Sequence, residues 1–391
     1  MPITALMTTH IRVITRWGLL MLGLTVAQSF AAPEDLEVGR GRLVVTGSAR
    51  VTHDSNIFLS NTEISDTVGT VNGELRYVRD RGVVTMEAAA GLEAQTFASH
   101  SSQNSADPSL GMKLGYDPDE KTNFHSNLQF RRSSIANETV NDRTKSDDLS
   151  LDATLEHLFS EKLGWRASTA YSNSDYLTAG YSDVFSYSLG VQAVHVYSPK
   201  LKLLAGVARI ESWTSHRPGG RRSPSNQDLR YTFGAEGELA PKLTGDVQAG
   251  VVRRSFDSPG FPDAGALYMA ARVSWAASEK TSWNVRAMQD LSLSTGDQSV
   301  RASSLTLNLT QVLSRKMSFD GSAGVDHSAY TGFNGAGNRS DDGVVLRGRM
   351  NYLLKSNMSL DVSAGYRKNN STVAVSTYSR FNFGVGLSTR F

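Results

Sequence analysis

The chain has 391 residues, 39% of them hydrophobic and 20% charged, with a formal net charge of +2 and no cysteine. Near-neutral charge leaves no electrostatic footprint for nucleic acid, and the lack of cysteine excludes a disulfide framework and a thiolate metal site. So polar an average excludes a bundle of membrane helices, each of which needs about 20 consecutive apolar residues, whereas a membrane β-barrel hides its apolar band in alternation.

The one long apolar run covers residues 17–32, preceded by Arg12 and Arg16 and passing through Ser29-Phe30-Ala31. A basic start, a short apolar core and small residues two apart predict a secretory signal peptide over residues 1–31. No cysteine follows the cut, so no lipid anchor forms, and losing Arg12 and Arg16 makes the mature chain neutral. Residues 32–41 read as a short periplasmic lead, too small for a plug, and residues 42–391 as a single barrel.

Within that span a tight-turn signal recurs around Asp80, Pro118, Glu161, Pro199, Pro241, Glu279, Arg315 and Ser356, at a period of about forty residues. Propeller blades would need four short strands per repeat, and helical repeats would need an i, i+3, i+4 pattern. Each unit instead shows two long alternating strands. Between the tight turns lie looser Asn/Asp/Ser/Gly segments at residues 54–66, 99–107, 134–146, 215–227, 257–263 and 332–342. Short turns at one end and longer loops at the other reproduce the asymmetry of outer-membrane barrels. Eight turns joining nine hairpins predict an all-β, transmembrane, antiparallel up-and-down barrel of about 18 strands, with short periplasmic turns and both termini in the periplasm.

Alternation assigns the faces. The sets Leu43, Val45, Gly47, Ala49; Leu149, Leu151, Ala153, Leu155; Leu229, Tyr231, Phe233; and Leu305, Leu307, Leu309 read as lipid-facing. In the last strand Phe381, Phe383, Val385, Leu387 and the terminal Phe391 point one way, and Arg380, Asn382, Gly384 and Gly386 the other. Aromatics beside the tight turns, among them Tyr77, Tyr116, Trp165, Tyr197, Trp275, Trp283 and Tyr352, predict a periplasmic interface girdle.

The lumen-lining candidates are Arg76, Arg131, Arg166, Arg230, Arg272, Arg347, Arg349, Arg380, Glu74, Glu87, Asp152, Glu236, Asp320 and Asp361. Mixed charge with inward Ser, Asn, Thr and Gly suits polar solutes such as sugars, and equally a wall whose charges pair among themselves. Barrels of 16 to 18 strands leave an aqueous channel. No loop is long enough to fold inward as in diffusion porins, so constriction is expected from side chains or a partner. The basic run Arg217-Pro218-Gly219-Gly220-Arg221-Arg222 reads as a solvated loop against lipopolysaccharide phosphates rather than a polymer site.

Catalytic patterns are weak. His125 beside Ser126, and Asp326 beside His327, put adjacent residues on opposite faces of a strand, so neither pair cooperates. No catalytic residue, metal ligand or cofactor is expected.

The stretch Asp54-Ser55-Asn56-Ile57-Phe58, followed by Ser65-Asp66 and a second strand, resembles the β-barrel porin 2 family, in layout over nearly all of the mature chain. The resemblance implies the barrel component of an exopolysaccharide secretion system, with a periplasmic polysaccharide export protein as partner. Asp54 and Asn56 either fix the first extracellular turn or touch a ligand. The expected function is therefore a channel in the outer membrane of a Gram-negative bacterium, surrounded by lipid and lipopolysaccharide, passing a hydrophilic polysaccharide or sugar. Alternatives are a general diffusion or sugar-uptake porin and a structural or adhesive surface barrel.

Overall fold

A computed structural model describes residues 36–215, 225–257, 263–296, 298–332 and 337–391. The signal segment expected over residues 1–31 and the basic run at residues 217–222 lie outside the described residues. The strands are β1 (Leu36–Val38), β2 (Gly41–Asp54), β3 (Asp66–Arg79), β4 (Val84–Phe97), β5 (Ser105–Tyr116), β6 (Thr122–Asn137), β7 (Asp142–Leu158), β8 (Leu163–Tyr176), β9 (Val184–Ser198) and β10 (Leu201–Thr214). They continue as β11 (Asn226–Ala240), β12 (Leu243–Phe256), β13 (Ala264–Ser278), β14 (Thr281–Leu293), β15 (Gln298–Ser314), β16 (Met317–Gly332), β17 (Arg339–Lys355), β18 (Met358–Ser371) and β19 (Tyr378–Arg390).

β2 to β19 form a closed antiparallel barrel of eighteen strands, as the repeat predicts. Each strand pairs with the next, and β19 returns to β2 in a register running from Asn382↔Asp54 to Arg390↔Thr46. Phe391 completes the seam by exchanging backbone hydrogen bonds with Val45 at 2.8 and 3.2 Å. β1, from the lead segment, folds back on the start of β2 through Gly39, whose φ of 63° suits glycine.

All eight tight turns fall where the repeat puts them, and their chemistry explains the recurring Ser-x-Lys. The hydroxyls of Ser198, Ser278 and Ser314 accept the backbone N–H of Lys200, Lys280 and Lys316 at 3.4, 3.3 and 3.2 Å. Ser160 accepts from Leu163 at 3.0 Å. A serine that closes its own turn lets two residues reverse a strand.

Contacts between strands three apart fix which face is the lumen. Arg166 on β8 reaches Glu236 on β11, and Arg230 on β11 reaches Asp290 on β14, both at or under 2.7 Å. Strands three apart lie roughly 14 Å apart along a flat wall, so such contacts form only on its concave side. The opposite face carries exposed Leu75, Leu110, Leu151, Leu189, Phe233, Leu267, Leu307, Leu346 and Phe383, the apolar belt that bilayer contact requires. Tyr116, Phe159, Trp165, Tyr197, Trp275 and Tyr352 lie exposed near the short turns, forming the girdle.

Two expected loops are shorter than read. β6 and β7 run through most of residues 134–146 and leave only residues 138–141 as a turn, and β17 begins at Arg339 inside the segment read as residues 332–342. Polar composition misled there because these strands extend beyond the bilayer, where neither face needs to be apolar.

The facing assignment gives a direct test. Leu307→Arg places a charge on the lipid side at a cost of about 2 to 4 kcal/mol, whereas Asn308→Arg adds one to a wet lumen. The fraction of heat-modifiable folded barrel in outer-membrane fractions should fall sharply for the first and stay near wild type for the second.

Candidate transport lumen

The structure places all fourteen candidate lumen residues on the concave face and divides them into paired and unpaired groups. Arg76 donates to Glu74 at 2.9 Å and to Glu87 at 3.0 Å, and Lys113 joins Glu87 at 3.3 Å. Arg166 bridges Glu156 at 2.8 Å and Glu236 at 2.7 Å, with Lys202 also on Glu156. Arg230 grips Asp290 at 2.6 Å while its guanidinium lies 4.0 Å over the Tyr268 ring. Arg50 pairs with Asp361, and Arg380 with Asp54. Asp152 accepts from Asn127 at 3.1 Å, and Asp320 from Thr310 at 3.0 Å and Asn351 at 2.8 Å. Arg131, Arg272 and Arg347 are exposed to the lumen and make no hydrogen bond or ion pair among the described residues. Arg349 approaches Asp361 only to 3.8 Å.

Burial is unequal along the axis. Lys113, Arg272, Arg347 and Arg349 stand in solvent, while Glu156, Val194 and Leu204, inward-facing near the short turns, are buried. At the extracellular ends Asp54, Asp66, Phe97, Asp107, Asn226, Asp228, Arg254, Asp341 and Tyr378 are buried. Inward-folded chain contributes to that packing beside the inward side chains from which constriction was expected, Arg254 above all.

The first loop, residues 55–65, turns into the mouth and buries Asn56, Ile57 and Leu59. Asp54 accepts the Asn56 backbone N–H at 3.0 Å as well as the Arg380 guanidinium, and the Asn56 amide donates to Ser60 O at 2.7 Å and Ser379 O at 3.0 Å. Ser55 N donates to Phe381 O at 2.9 Å. The Asp-Ser-Asn stretch is thus a clasp between the first and last barrel strands, the turn-fixing role among the two readings open for it.

The β6–β7 hairpin leans inward over this loop. Its tip residue Asn141 donates to Leu59 O at 2.9 Å, and both residues adopt φ of 55°. Left-handed backbone is uncommon outside glycine and is strained for leucine. Glu138 in the tip reaches Arg367 on β18, a third of the way around the barrel, and Arg367 also holds Asp326 at 3.1 Å. Arg143 lies 4.6 Å over the Phe97 ring. We refer to residues 138–141 as the lid.

A second packed region narrows the other side. β10 and β14, four strands apart, approach across the lumen. Fully buried Arg254 fills the space between them and donates to Asp228 at 2.7 Å, Ser299 at 2.7 Å and Ser292 O at 3.1 Å. Thr295 donates to Ser182 O at 2.7 Å, tying two loops over this lobe. Sequence reading missed Glu138, Asn141, Asp228 and Arg254. Alternation marks Asp228 and Arg254 as inward, but nothing in the sequence says which inward charges meet across the lumen.

The histidine pairs divide as alternation requires. His125 faces the lumen, while His327 faces outward and meets Asp342 of the next strand at 2.8 Å. Among the described residues no group of three His, Asp or Glu is placed to hold a metal.

A closed, lipid-belted barrel around a polar lumen defines an outer-membrane, porin-like channel. The chain belongs to the family described as Putative beta-barrel porin 2, whose model matches residues 40–391. No curated protein matches the sequence. Among solved structures it is similar to the outer membrane protein OpdK of Pseudomonas aeruginosa, with 8% identity, TM-score 0.47, and coverage of 89% of this chain and 99% of that one. OpdO of the same organism gives 11% identity, TM-score 0.46, and coverage of 90% and 97%. The P. aeruginosa ferric enterobactin receptor gives 8%, 0.42, and 89% and 80%. Likenesses this distant say nothing of what the chain carries.

One outcome tests the mouth. Replacing residues 138–141 with a two-residue Asn-Gly turn removes the Glu138 and Asn141 tethers, so single-channel conductance in planar bilayers should rise at least severalfold.

Proposed function

We propose that this protein is the outer-membrane channel of an exopolysaccharide secretion system, passing a hydrophilic polymer outward from a periplasmic polysaccharide export protein. The observation that carries the reading is the axial asymmetry of the lumen. Exposed charged side chains line the wall at mid-height, whereas the outer mouth is narrowed by two chain segments held through a handful of hydrogen bonds and one ion pair. A solute arriving from the periplasm meets that narrowing last, and one arriving from outside meets it first.

Transport of this kind needs no catalytic residue. The wall offers water, hydrogen-bond partners and weak multiple contacts, so that a polymer enters and also leaves. We assign no enzymatic step to the barrel and propose that residues 1–31 direct it to the periplasm before insertion.

The test is the amount of secreted polysaccharide in a clean deletion strain of the native host, with complementation by the full gene. The proposal expects at least a tenfold loss, restored on complementation. Unchanged polysaccharide would overturn it and leave uptake or a structural surface role.

A further inference from the structure

The lumenal arginines fall into two populations. Arg50, Arg76, Arg166, Arg230, Arg254, Arg367 and Arg380 each sit on a carboxylate within hydrogen-bonding distance. Such arginines serve the wall and offer little to a solute. Arg131, Arg272, Arg286 and Arg347 are exposed and have no such partner among the described residues, and Arg349 has only the 3.8 Å approach to Asp361. Arg131 stands alone on β6, opposite Asp148 of β7, and the other four lie together on β13 to β17.

Their arrangement is ordered. Arg272 and Arg286 are direct cross-strand partners on the concave face, a like-charge pair that is mildly unfavourable by itself. Arg347 and Arg349 are two residues apart on β17 and therefore share its lumenal face. Between the two pairs, β15 and β16 present a floor of small polar side chains. One cross-strand row runs from Asn308 to Ser322 to Arg347. The span from β14 to β17 is three strand spacings, roughly 14 Å, wide enough for a sugar ring to lie between the rims. Asp320 on the floor accepts from Thr310 and Asn351 and is the cross-strand partner of Arg349, which leaves Arg347 as the freer cation of that rim. Asp246 is the cross-strand partner of Arg272 on β12, outside the floor.

The far wall carries more free carboxylate than free cation. Arg131 stands there opposite Asp148, while Glu93 on β4, with Asp148 and Asp152 on β7, form no ion pair among the described residues and accept only from Gln95, Ser146 and Asn127. An anion in the lumen is repelled by one wall and drawn to the other, and unneutralised guanidiniums in a water-filled cleft focus that attraction. Planar guanidiniums suit carboxylates, and hydroxyl and amide groups between them suit the ring hydroxyls of a sugar.

We propose that the trough between Arg272/Arg286 and Arg347/Arg349 binds acidic saccharide, a glycan whose rings bear carboxylates. This rests on the export reading and names the class of polymer that the channel carries. Exposed arginines on two walls let such a chain exchange contacts stepwise as it moves.

The test uses the full barrel, purified in detergent, titrated calorimetrically with trigalacturonate, maltotriose and inorganic phosphate. Trigalacturonate should bind and weaken as salt is raised, while maltotriose should show at least tenfold lower affinity. Arg347→Gln/Arg349→Gln and Arg272→Gln/Arg286→Gln should each weaken trigalacturonate at least tenfold. All four side chains are exposed, and only Arg349 approaches a wall ion pair, at 3.8 Å from an Asp361 that Arg50 already holds, so both variants should retain heat-modifiable folding. Equal affinity for maltotriose, competition by phosphate at equal concentration, or folded variants that bind unchanged would each overturn the trough. The polysaccharide assay separates the two levels. Lost polymer in the deletion strain but normal polymer and binding in both variants refutes the trough and keeps the export reading. Trigalacturonate binding that depends on the arginines, with polymer unchanged in the deletion strain, refutes export and keeps the trough.

Discussion

Every backbone N–H and C=O that enters hydrocarbon must find its partner within the protein, because lipid supplies none. For strands the solution is closure, and the seam between β2 and β19 is where closure succeeds or fails. The backbone ladder there runs to the last residue, with Phe391 paired to Val45. At the outer end of the same seam Asp54, Ser55 and Asn56 bind Arg380, Phe381 and Ser379. The most recognisable local motif in the chain thus fastens the joint on which the barrel depends.

Closure also explains how a chain with 39% hydrophobic residues holds so many charges. Half the side chains of each strand point inward, where water or an opposite charge meets them, so charge is sorted by face rather than by segment. Where lumenal chain is buried, charges are matched: Arg254 with Asp228, and Arg380 with Asp54. Removing one partner of such a buried pair would leave the other uncompensated, which costs more than the pair itself contributes. Where the lumen stays wet, arginines stand unpaired on β13 to β17, free to meet a solute.

The architecture was legible because its signals are local. Strand period, serine-closed turns and alternation each act within a few residues, so the strand count, turn positions and the facing of Leu307 against Asn308 follow from spacing. The mouth was not legible, because its contacts join residues far apart in the chain. Asn141 meets Leu59, and Glu138 meets Arg367, through strands that bend inward beyond the membrane. Polar composition at residues 134–146 reads as loop whether the chain leaves the barrel or leans across it. Lumen candidates could be named from alternation, but which are neutralised depends on wall curvature. That curvature brings β11 to β14 and leaves β17 apart.

The central claim is that the narrowed outer mouth is the barrier to the lumen, and the absence of cysteine makes it directly measurable. A single Ser322→Cys variant places one thiol on the lumenal floor. Treatment with a bulky, membrane-impermeant maleimide should leave that thiol unlabelled in intact cells and label it after the outer membrane is permeabilised to admit reagent from the periplasmic side. Rapid labelling in intact cells, at a rate matching permeabilised ones, would show the mouth to be open and contradict the account.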